Sequence, residues 1–257
     1  MARILITGSS DGLGLMAGRL LVSQHHEVVA HARNESRAAA TRSALGGAGE
    51  VVIGDLSTLV GMAEVAKAAN ATGRFDAVIH NAAVGSNERR VVTEDGLSHV
   101  FAVNVLAPYV LSALIEMPDR LVYMSSGMHR AGNPHLDDLQ WSHRRWSGSQ
   151  AYSDSKLYVA ALAAALARHR SELFSNAVDP GWVPTKMGGP GAPDDLEMGV
   201  ATQVWLAVSR DAGARVSGAF FFHQRQVGAH PAMHDAVLQD DLLAACASIA
   251  GVRLISA

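Results

Sequence analysis

The sequence predicts an α/β fold: a doubly wound, mainly parallel sheet with helices on both faces. Three observations predict it. Short apolar runs of strand length alternate with longer helical patterns along most of the chain. The first six runs are short and apolar, as strands buried between two helical layers must be. The 257 residues, 49% hydrophobic and 18% charged, suffice for one large α/β domain with a sizeable core.

The elements follow in order. RILIT (3–7) is a strand that leads into the helical LGLMAGRLLVSQ. EVVAH (27–31) precedes an Ala-rich helix that ends at Gly46-Gly47. EVVIG (50–54) leads through Asp55 into the helical STLVGMAEVAKAA. RFDAVIH (74–80) is followed by a loop and by LSHVFAVNVLAPYVLSALIE. RLVYMSS (120–126) precedes a long polar segment and then YSDSKLYVAALAAALARHR. LFSNAV (173–178) ends at DPGWVPT, and SGAFFF (217–222) is the seventh strand. Strand–helix–strand alternation implies right-handed crossovers. No internal linker or low-complexity tract interrupts it, so residues 1–257 are expected to form a single domain.

Two segments break the rhythm: residues 128–149, rich in His, Trp, Arg and Asp, and residues 184–198, rich in Pro and Gly. Both follow strands, and loops at the carboxyl edge of an open α/β sheet border its ligand crevice. Both are therefore expected to be active-site loops, with Trp141, Trp146 and Trp182 either lining a pocket or anchoring their own loops. Residues 223–257 form a C-terminal extension, expected to cover the site or to make a subunit contact.

Composition excludes several classes. A net charge of −3 gives no basic face for nucleic acid. The lone Cys246 cannot form an internal disulfide, which suits a reduced, cytoplasmic setting. No signal-peptide pattern is visible, and the longest apolar stretch, LYVAALAAALA, falls short of the ~20 residues that cross a bilayer. No membrane anchor is expected. The histidines have neither an H-E-x-x-H pattern nor supporting cysteines, so no metal site is expected.

The stretch ILITGSSDGLGL puts Gly8, Gly12 and Gly14 between a strand and a helix start. Glycine permits a tight turn at positive φ and close backbone approach to phosphate oxygens, and the helix amino terminus adds free N–H groups. The order is G-x-x-x-G-x-G rather than G-x-G-x-x-G, so the loop alone reads equally as an ordinary strand–helix turn. Asp55, past the third strand, can accept from an adenine amino group or belong to a helix cap that Ser57 could equally supply. The small residues of HNAAVG (80–85) let a cofactor lie against the backbone. The second strand ends His31-Ala32-Arg33, without the carboxylate that accepts from a ribose 2′-hydroxyl. Arg33 can instead pair with a 2′-phosphate, which favours NADP(H) over NAD(H). Asp11, inside the glycine loop, is a counter-signal because it would repel that phosphate.

Tyr152 and Lys156 fall on one helix face in YSDSK. A free phenol has a pKa of about 10, and a neighbouring ammonium lowers it toward usefulness as a proton donor and acceptor. Ser125 and Ser126 end the fifth strand, where a hydroxyl can hold a substrate carbonyl. Asn104 is a polar residue among apolar neighbours and is positioned to anchor a water that relays protons to Lys156. Pro180-Gly181, Val183 and Thr185 close the sixth strand, where backbone groups and a hydroxyl can hold a carboxamide.

Taken in order, these motifs resemble the short-chain dehydrogenase/reductase family, over residues 3 to about 222. The resemblance rests on TGSSDGLG, Asp55-Leu56, Asn81-Ala82-Ala83, Asn104, Ser126, Tyr152/Lys156 and PGWVPT. It implies a Rossmann-type fold and hydride transfer between a nicotinamide and a carbonyl or alcohol substrate. Tyr152 is then the general acid/base, Ser126 positions the carbonyl, Lys156 binds ribose and tunes Tyr152, and Asn104 completes the proton relay. The cofactor would lie on Gly8, Ser10, Asp11, Gly12, Leu13, Gly14 and Arg33, then on Asp55, Leu56, Asn81, Ala82 and Ala83. Tyr152, Lys156, Pro180, Gly181, Val183 and Thr185 would complete its site. Family members often form dimers or tetramers through the helices that hold Asn104 and Tyr152, so a homodimer or homotetramer is expected.

Two departures stand out. The family's Asn-Asn-Ala-Gly reads His80-Asn81-Ala82-Ala83, and Ser126 and Tyr152 are 26 residues apart, wider than in short members. The longer insert, with LDDLQW (136–141), is similar to retinol-dehydrogenase-like and WW-domain-oxidoreductase-like members. Two rival functions are carried forward: a catalytically silent NADP(H)-binding sensor, and a hydrolase built on Ser126, His129 and an Asp. The second lacks a G-x-S-x-G elbow.

Overall fold

The computed structural model describes residues 1–47 and 49–255. The strands are β1 (Arg3–Ile6), β2 (Glu27–Ala32), β3 (Glu50–Ile53), β4 (Ala77–His80), β5 (Arg120–Met124), β6 (Phe174–Asp179), β7 (Phe220–Phe222) and β8 (Arg225–Gln226). They form one sheet in the order β3-β2-β1-β4-β5-β6-β7-β8. The first seven run parallel, as the alternation predicts. The eighth is antiparallel to β7, and two residues are too few to leave a periodic signal in sequence.

The helices are α1 (Gly12–Ser23), α2 (Glu35–Ala44), α3 (Leu59–Ala71), α4 (His99–Phe101), α5 (Ala107–Leu114), α6 (Gly148–His169), α7 (Leu196–Val208) and α8 (Ala236–Ala250). Side chains on one face of the sheet pack with α3, α5, α6 and α8. Those on the other face pack with α1 and α7. Alternation along each strand supplies both layers, which is why the strands read as continuous apolar runs.

Capping chemistry sets most of the helix starts. Asn34 accepts from the Arg37 N–H at 3.1 Å, Thr58 from Gly61 at 3.1 Å and Ser147 from Gln150 at 3.3 Å. The cap of α3 is thus Thr58, not Asp55 or Ser57. Asp55 makes a tight turn instead, accepting from the Ser57 N–H at 2.9 Å. At α1 the cap position falls to Asp11, whose side chain makes no capping bond. The first N–H groups of α1 therefore have no side-chain cap and face the crevice where the strand order reverses between β1 and β4.

The 128–149 insert is not a loop over that crevice. It folds as a knot against α6. The buried Asp138 carboxylate accepts from the N–H groups of Ser142 at 2.6 Å and Arg144 at 3.1 Å, and from Arg144 Nε at 3.2 Å. Burial opposes its charge, but these donors together hold its carboxyl below the ordinary range. Arg144 also reaches Asp154 of α6 at 3.3 Å and lies 4.0 Å above the Trp141 ring. Trp141 and Trp146 meet edge to face at 5.4 Å and pack with Val100 and Ala151. These two tryptophans are packing anchors, the second of the two readings.

The C-terminal segment clasps the same side. Arg168 of α6 pairs with Asp240 of α8. The Tyr109 hydroxyl of α5 donates to the Val252 carbonyl at 3.0 Å. Between α8 and the insert, α6 is buried from Ala151 through Leu166.

One interior polar chain carries a consequence for stability. His80 Nε2 lies 3.0 Å from Ser112 Oγ, which lies 2.7 Å from the Tyr123 hydroxyl, and the two rings stack at 4.7 Å. His80 Nδ1 is buried without a hydrogen-bond partner among the described residues. Burial drives the His80 pKa down to about 3. The unfolded chain takes up this proton below about pH 6.5 while the folded chain does not. Stability is therefore full above that pH and falls as pH drops toward about 3. The limiting contribution is about 1.4 kcal/mol per pH unit. His80→Phe keeps the stacking and removes the proton site, so its urea midpoint should fall less steeply between neutral and acid pH. Identical slopes for the two proteins would remove His80 from the acid response.

Candidate active site

The crevice is a cleft of roughly 390 Å³ that runs from the end of β2 to the start of α6. Its floor is the glycine loop. Gly8 and Gly12 have φ values of 62° and 53°, a region that favours glycine. A Cβ on Gly8 would lie 2.7 Å from Ala82 Cα, and one on Gly14 would lie 2.6 Å from the Gly8 carbonyl. The loop is pressed against its neighbours, and side chains at Gly8 or Gly14 would push it out of this shape. This fits a dinucleotide pyrophosphate placed at the uncapped start of α1.

Two residues hold the loop from behind. Asn81 Nδ2 donates to the carbonyls of Thr7 at 3.0 Å and Gly8 at 3.1 Å. Thr7 Oγ1 in turn accepts the N–H groups of Asn81 and Ala82, both at 3.0 Å. His31 accepts the Gly8 N–H on Nδ1 at 3.0 Å and contacts the Gly54 carbonyl through Nε2 at 2.9 Å. Burial lowers the His31 pKa, so the ring is neutral, with the Nε2 proton directed at Gly54. In sequence His31 reads as one more strand residue; its part in shaping the loop comes from a contact across 23 positions.

At the β2 end the cleft is lined by Arg33, Arg37 and Lys186 together with Ser10 and Asp11. Asp11 Oδ2 lies 3.4 Å from Arg37 and 3.1 Å from Lys186. The counter-signal is thus balanced by two cations that sequence reading did not select. Arg37 lies in the first turn of α2, four residues past Arg33, close enough in sequence to have drawn attention to it. Lys186 comes from the 184–198 segment, whose first residues border the cleft through Thr185, Lys186 and Met187. Trp182 does not border it. That ring is 60% exposed and its Nε1 donates to the Gly188 carbonyl at 2.8 Å.

Of the other anticipated cofactor residues, Gly12, Leu13, Asp55, Leu56, Ala83 and Pro180 line the cleft. Gly14, Gly181 and Val183 lie behind its wall. Gly181, at φ 84°, donates its N–H to Asp179 Oδ1 at 3.0 Å. Val183 is buried near Gly199 of α7.

At the α6 end, Tyr152 and Lys156 line the cleft together with Met124 and Ser125. Ser125 Oγ donates to the Lys156 carbonyl at 2.7 Å and so tethers α6 to β5. Ser126 caps the next turn by accepting the Met128 N–H at 3.2 Å, and its hydroxyl acts to lower the Tyr152 pKa. Lys156 Nζ donates to the Met124 carbonyl at 2.7 Å and sits 5.4 Å from the Tyr152 ring centre.

The acid–base balance differs from the one the helix spacing suggests. Burial pushes the Tyr152 phenol up to about 12, only partly opposed by the Ser126 hydrogen bond. Burial also brings Lys156 down to about 7, with the Asp179 charge acting the other way. The expected depression of Tyr152 by an ammonium is absent in the free protein. Both groups are buried together, and the Lys156 ammonium is directed at a backbone carbonyl.

Asn104 lies in a π-helical turn (Ala102–Leu106) between α4 and α5. Its Oδ1 accepts the Val84 N–H at 2.8 Å, and its Nδ2 donates to the Val84 carbonyl at 3.1 Å and to Ser155 Oγ at 3.0 Å. The side chain fastens the loop after β4 to α6. His129 does not serve a nucleophile. Its Nδ1 faces the Ser126 carbonyl at 2.7 Å, not the hydroxyl, and its Nε2 accepts the His230 N–H at 3.1 Å. No cluster of metal-binding residues occurs among the described residues, and no helix there is long and apolar enough to cross a membrane.

A doubly wound sheet with a glycine loop at its switch point, and Tyr152 and Lys156 at the far end of the same cleft, defines an oxidoreductase that uses a nicotinamide dinucleotide. The chain belongs to the short-chain dehydrogenase/reductase family, whose "short chain dehydrogenase" profile matches residues 2–135. It is 40% identical to the short-chain dehydrogenase chyC of Penicillium rubens, over 99% of each chain. It is 27% identical to human retinol dehydrogenase 13, over 97% of this chain and 85% of that one. Among solved structures, a protein from Mycobacterium paratuberculosis superposes with a TM-score of 0.86 at 25% identity, covering 100% of this chain and 96% of its own.

Proposed function

We propose that the protein is an NADP(H)-dependent reductase of small carbonyl compounds, with Tyr152 as proton donor. The observation that carries this reading is one cleft with Tyr152 and Lys156 at one end and Arg33, Arg37 and Lys186 at the other. NADPH, when bound, supplies the hydride. The Tyr152 phenol is protonated at neutral pH, so it can give its proton to a carbonyl oxygen as negative charge develops there. The Ser126 hydroxyl orients the same oxygen. Lys156 is near neutrality, ready to take up a proton when a negative or hydroxylated group fills the cleft beside it. The cations beside Asp11 suit a 2′-phosphate and favour NADP(H) over NAD(H).

The test is an NADPH-oxidation screen across aldehydes, ketones, quinones and steroids, with Tyr152→Phe as control. Consumption that needs both a carbonyl compound and Tyr152 supports the reading. No consumption, alongside intact NADPH binding, would favour the silent sensor.

The oligomer is read from the same packing. The helices that hold Asn104 and Tyr152 are covered by the chain's own insert and α8. We infer that these helices do not form a subunit contact and that the protein is a monomer of 27.0 kDa. Light scattering after size exclusion should give that mass. Twice or four times the value would show that another face assembles.

A further inference from the structure

One charged group at the α6 end has no task in the site described so far. Asp179 ends β6, immediately before Pro180. Its Oδ1 accepts the Gly181 N–H at 3.0 Å. Its Oδ2 has neither a hydrogen-bond partner nor a salt-bridge cation among the described residues, and the side chain is only partly buried. That oxygen lies where a Cβ on Gly127 would approach to 3.0 Å, beside the residue that follows Ser126.

Strand alternation fixes the direction. Asp179 shares a face with Ala177, which packs in the layer that contains α6, whereas Val178 packs in the opposite layer. The side chain therefore projects on the side of Tyr152 and Lys156. Its charge acts on Tyr152, Lys156 and His129 alike, which agrees with that placement. A carbonyl compound seated against Ser126 and Tyr152 would lie on the same side of the sheet as this oxygen, which reaches the residue after Ser126.

A plain ketone would strip water from the carboxylate and return nothing, which is costly. A substrate that brings its own donor replaces the lost water. Sites with a buried polar group discriminate mainly by this penalty, and strongly. We infer that Asp179 determines substrate specificity: Oδ2 accepts a hydrogen bond from a hydroxyl or amino group of the substrate. The favoured substrates are carbonyl compounds that carry a hydrogen-bond donor beside the reacting group. This inference rests on the proposed carbonyl position between Ser126 and Tyr152.

The test compares acetophenone with α-hydroxyacetophenone in the wild type, Asp179→Asn and Asp179→Leu, all with NADPH. In the wild type kcat/KM should favour the hydroxyketone by about tenfold or more. The ratio should shrink in Asp179→Asn and vanish in Asp179→Leu. No preference in the wild type, or a ratio unchanged in both variants, overturns the inference. If Asp179 served only as a counter-charge to Lys156, both ketones would suffer equally and the ratio would stay, which also overturns it. If neither ketone is reduced while other carbonyl compounds are, the site does not take aryl ketones. Calorimetric titration with phenylethylene glycol and α-methylbenzyl alcohol then still decides the role of Asp179. Tighter binding of the glycol, lost in Asp179→Leu, supports it, and equal binding overturns it. Circular dichroism and NADPH titration of each variant separate a specificity change from misfolding.

Discussion

Tyr152→Phe is expected to lower NADPH-dependent carbonyl turnover by about a thousandfold, within the range seen when a positioned acid or base is removed. The ring is almost fully buried, so phenylalanine keeps the packing and deletes only the hydroxyl. NADPH binding should stay within about threefold of the wild type, because the pyrophosphate cradle and the cations lie at the other end of the cleft. The loss should fall on kcat and kcat/KM together, the mark of an interaction made in the transition state. Fluorescence titration and steady-state kinetics on the same preparation check both halves. Turnover close to that of the wild type would remove Tyr152 from the chemistry and leave Ser126 and Lys156 to be explained some other way.

Arg33→Ala combined with Arg37→Ala should weaken NADPH binding by at least about tenfold and leave NADH binding nearly unchanged. Hydrogen bonds between guanidinium and phosphate groups are charge-assisted and strong, and NADH has no 2′-phosphate to lose them. In the free protein Arg37 is held by Asp11 at 3.4 Å, with both side chains nearly half exposed. An ion pair so exposed is worth about 0–1 kcal/mol, so exchanging Asp11 for a phosphate costs little. Asp11→Asn should therefore move the other way and tighten NADPH binding a few-fold. Equal losses for NADPH and NADH in the double variant would place the two arginines away from the 2′-position. A weaker NADPH complex in Asp11→Asn would mean that the Asp11–Lys186 contact matters more as a clasp over the glycine loop than as a competitor.

Short-range features were legible without coordinates. Strand runs, helix periodicity, the positive-φ glycines of the loop and the four-residue spacing of Tyr152 and Lys156 all depend on neighbours a few positions apart. For the same reason the glycine loop was ambiguous by itself and became informative only with the motifs that follow it in order. The insert reads as a site loop in sequence because of its His, Trp and Arg content, yet none of its residues lines the cleft. Its Asp138–Arg144 clamp shows instead that those residues hold a fold against α6. Asn104 was singled out correctly as a polar residue in an apolar setting, but its partners, Val84 and Ser155, lie 20 and 51 residues away.

The sequence by itself determined the layered sheet and the place of the glycine loop between β1 and α1. Periodicity and glycine conformation are local, and they specify backbone. Only the tertiary structure decided the electrostatics. Lys186 reaches Asp11 from 175 residues along the chain, His31 props the loop from another strand, and Asp179 is left with a bare oxygen beside Gly127. Burial then sets Tyr152 and Lys156 in the opposite sense to the one their spacing suggests. Charge and desolvation depend on distance in space, and the chain brings those groups together only when the sheet is complete.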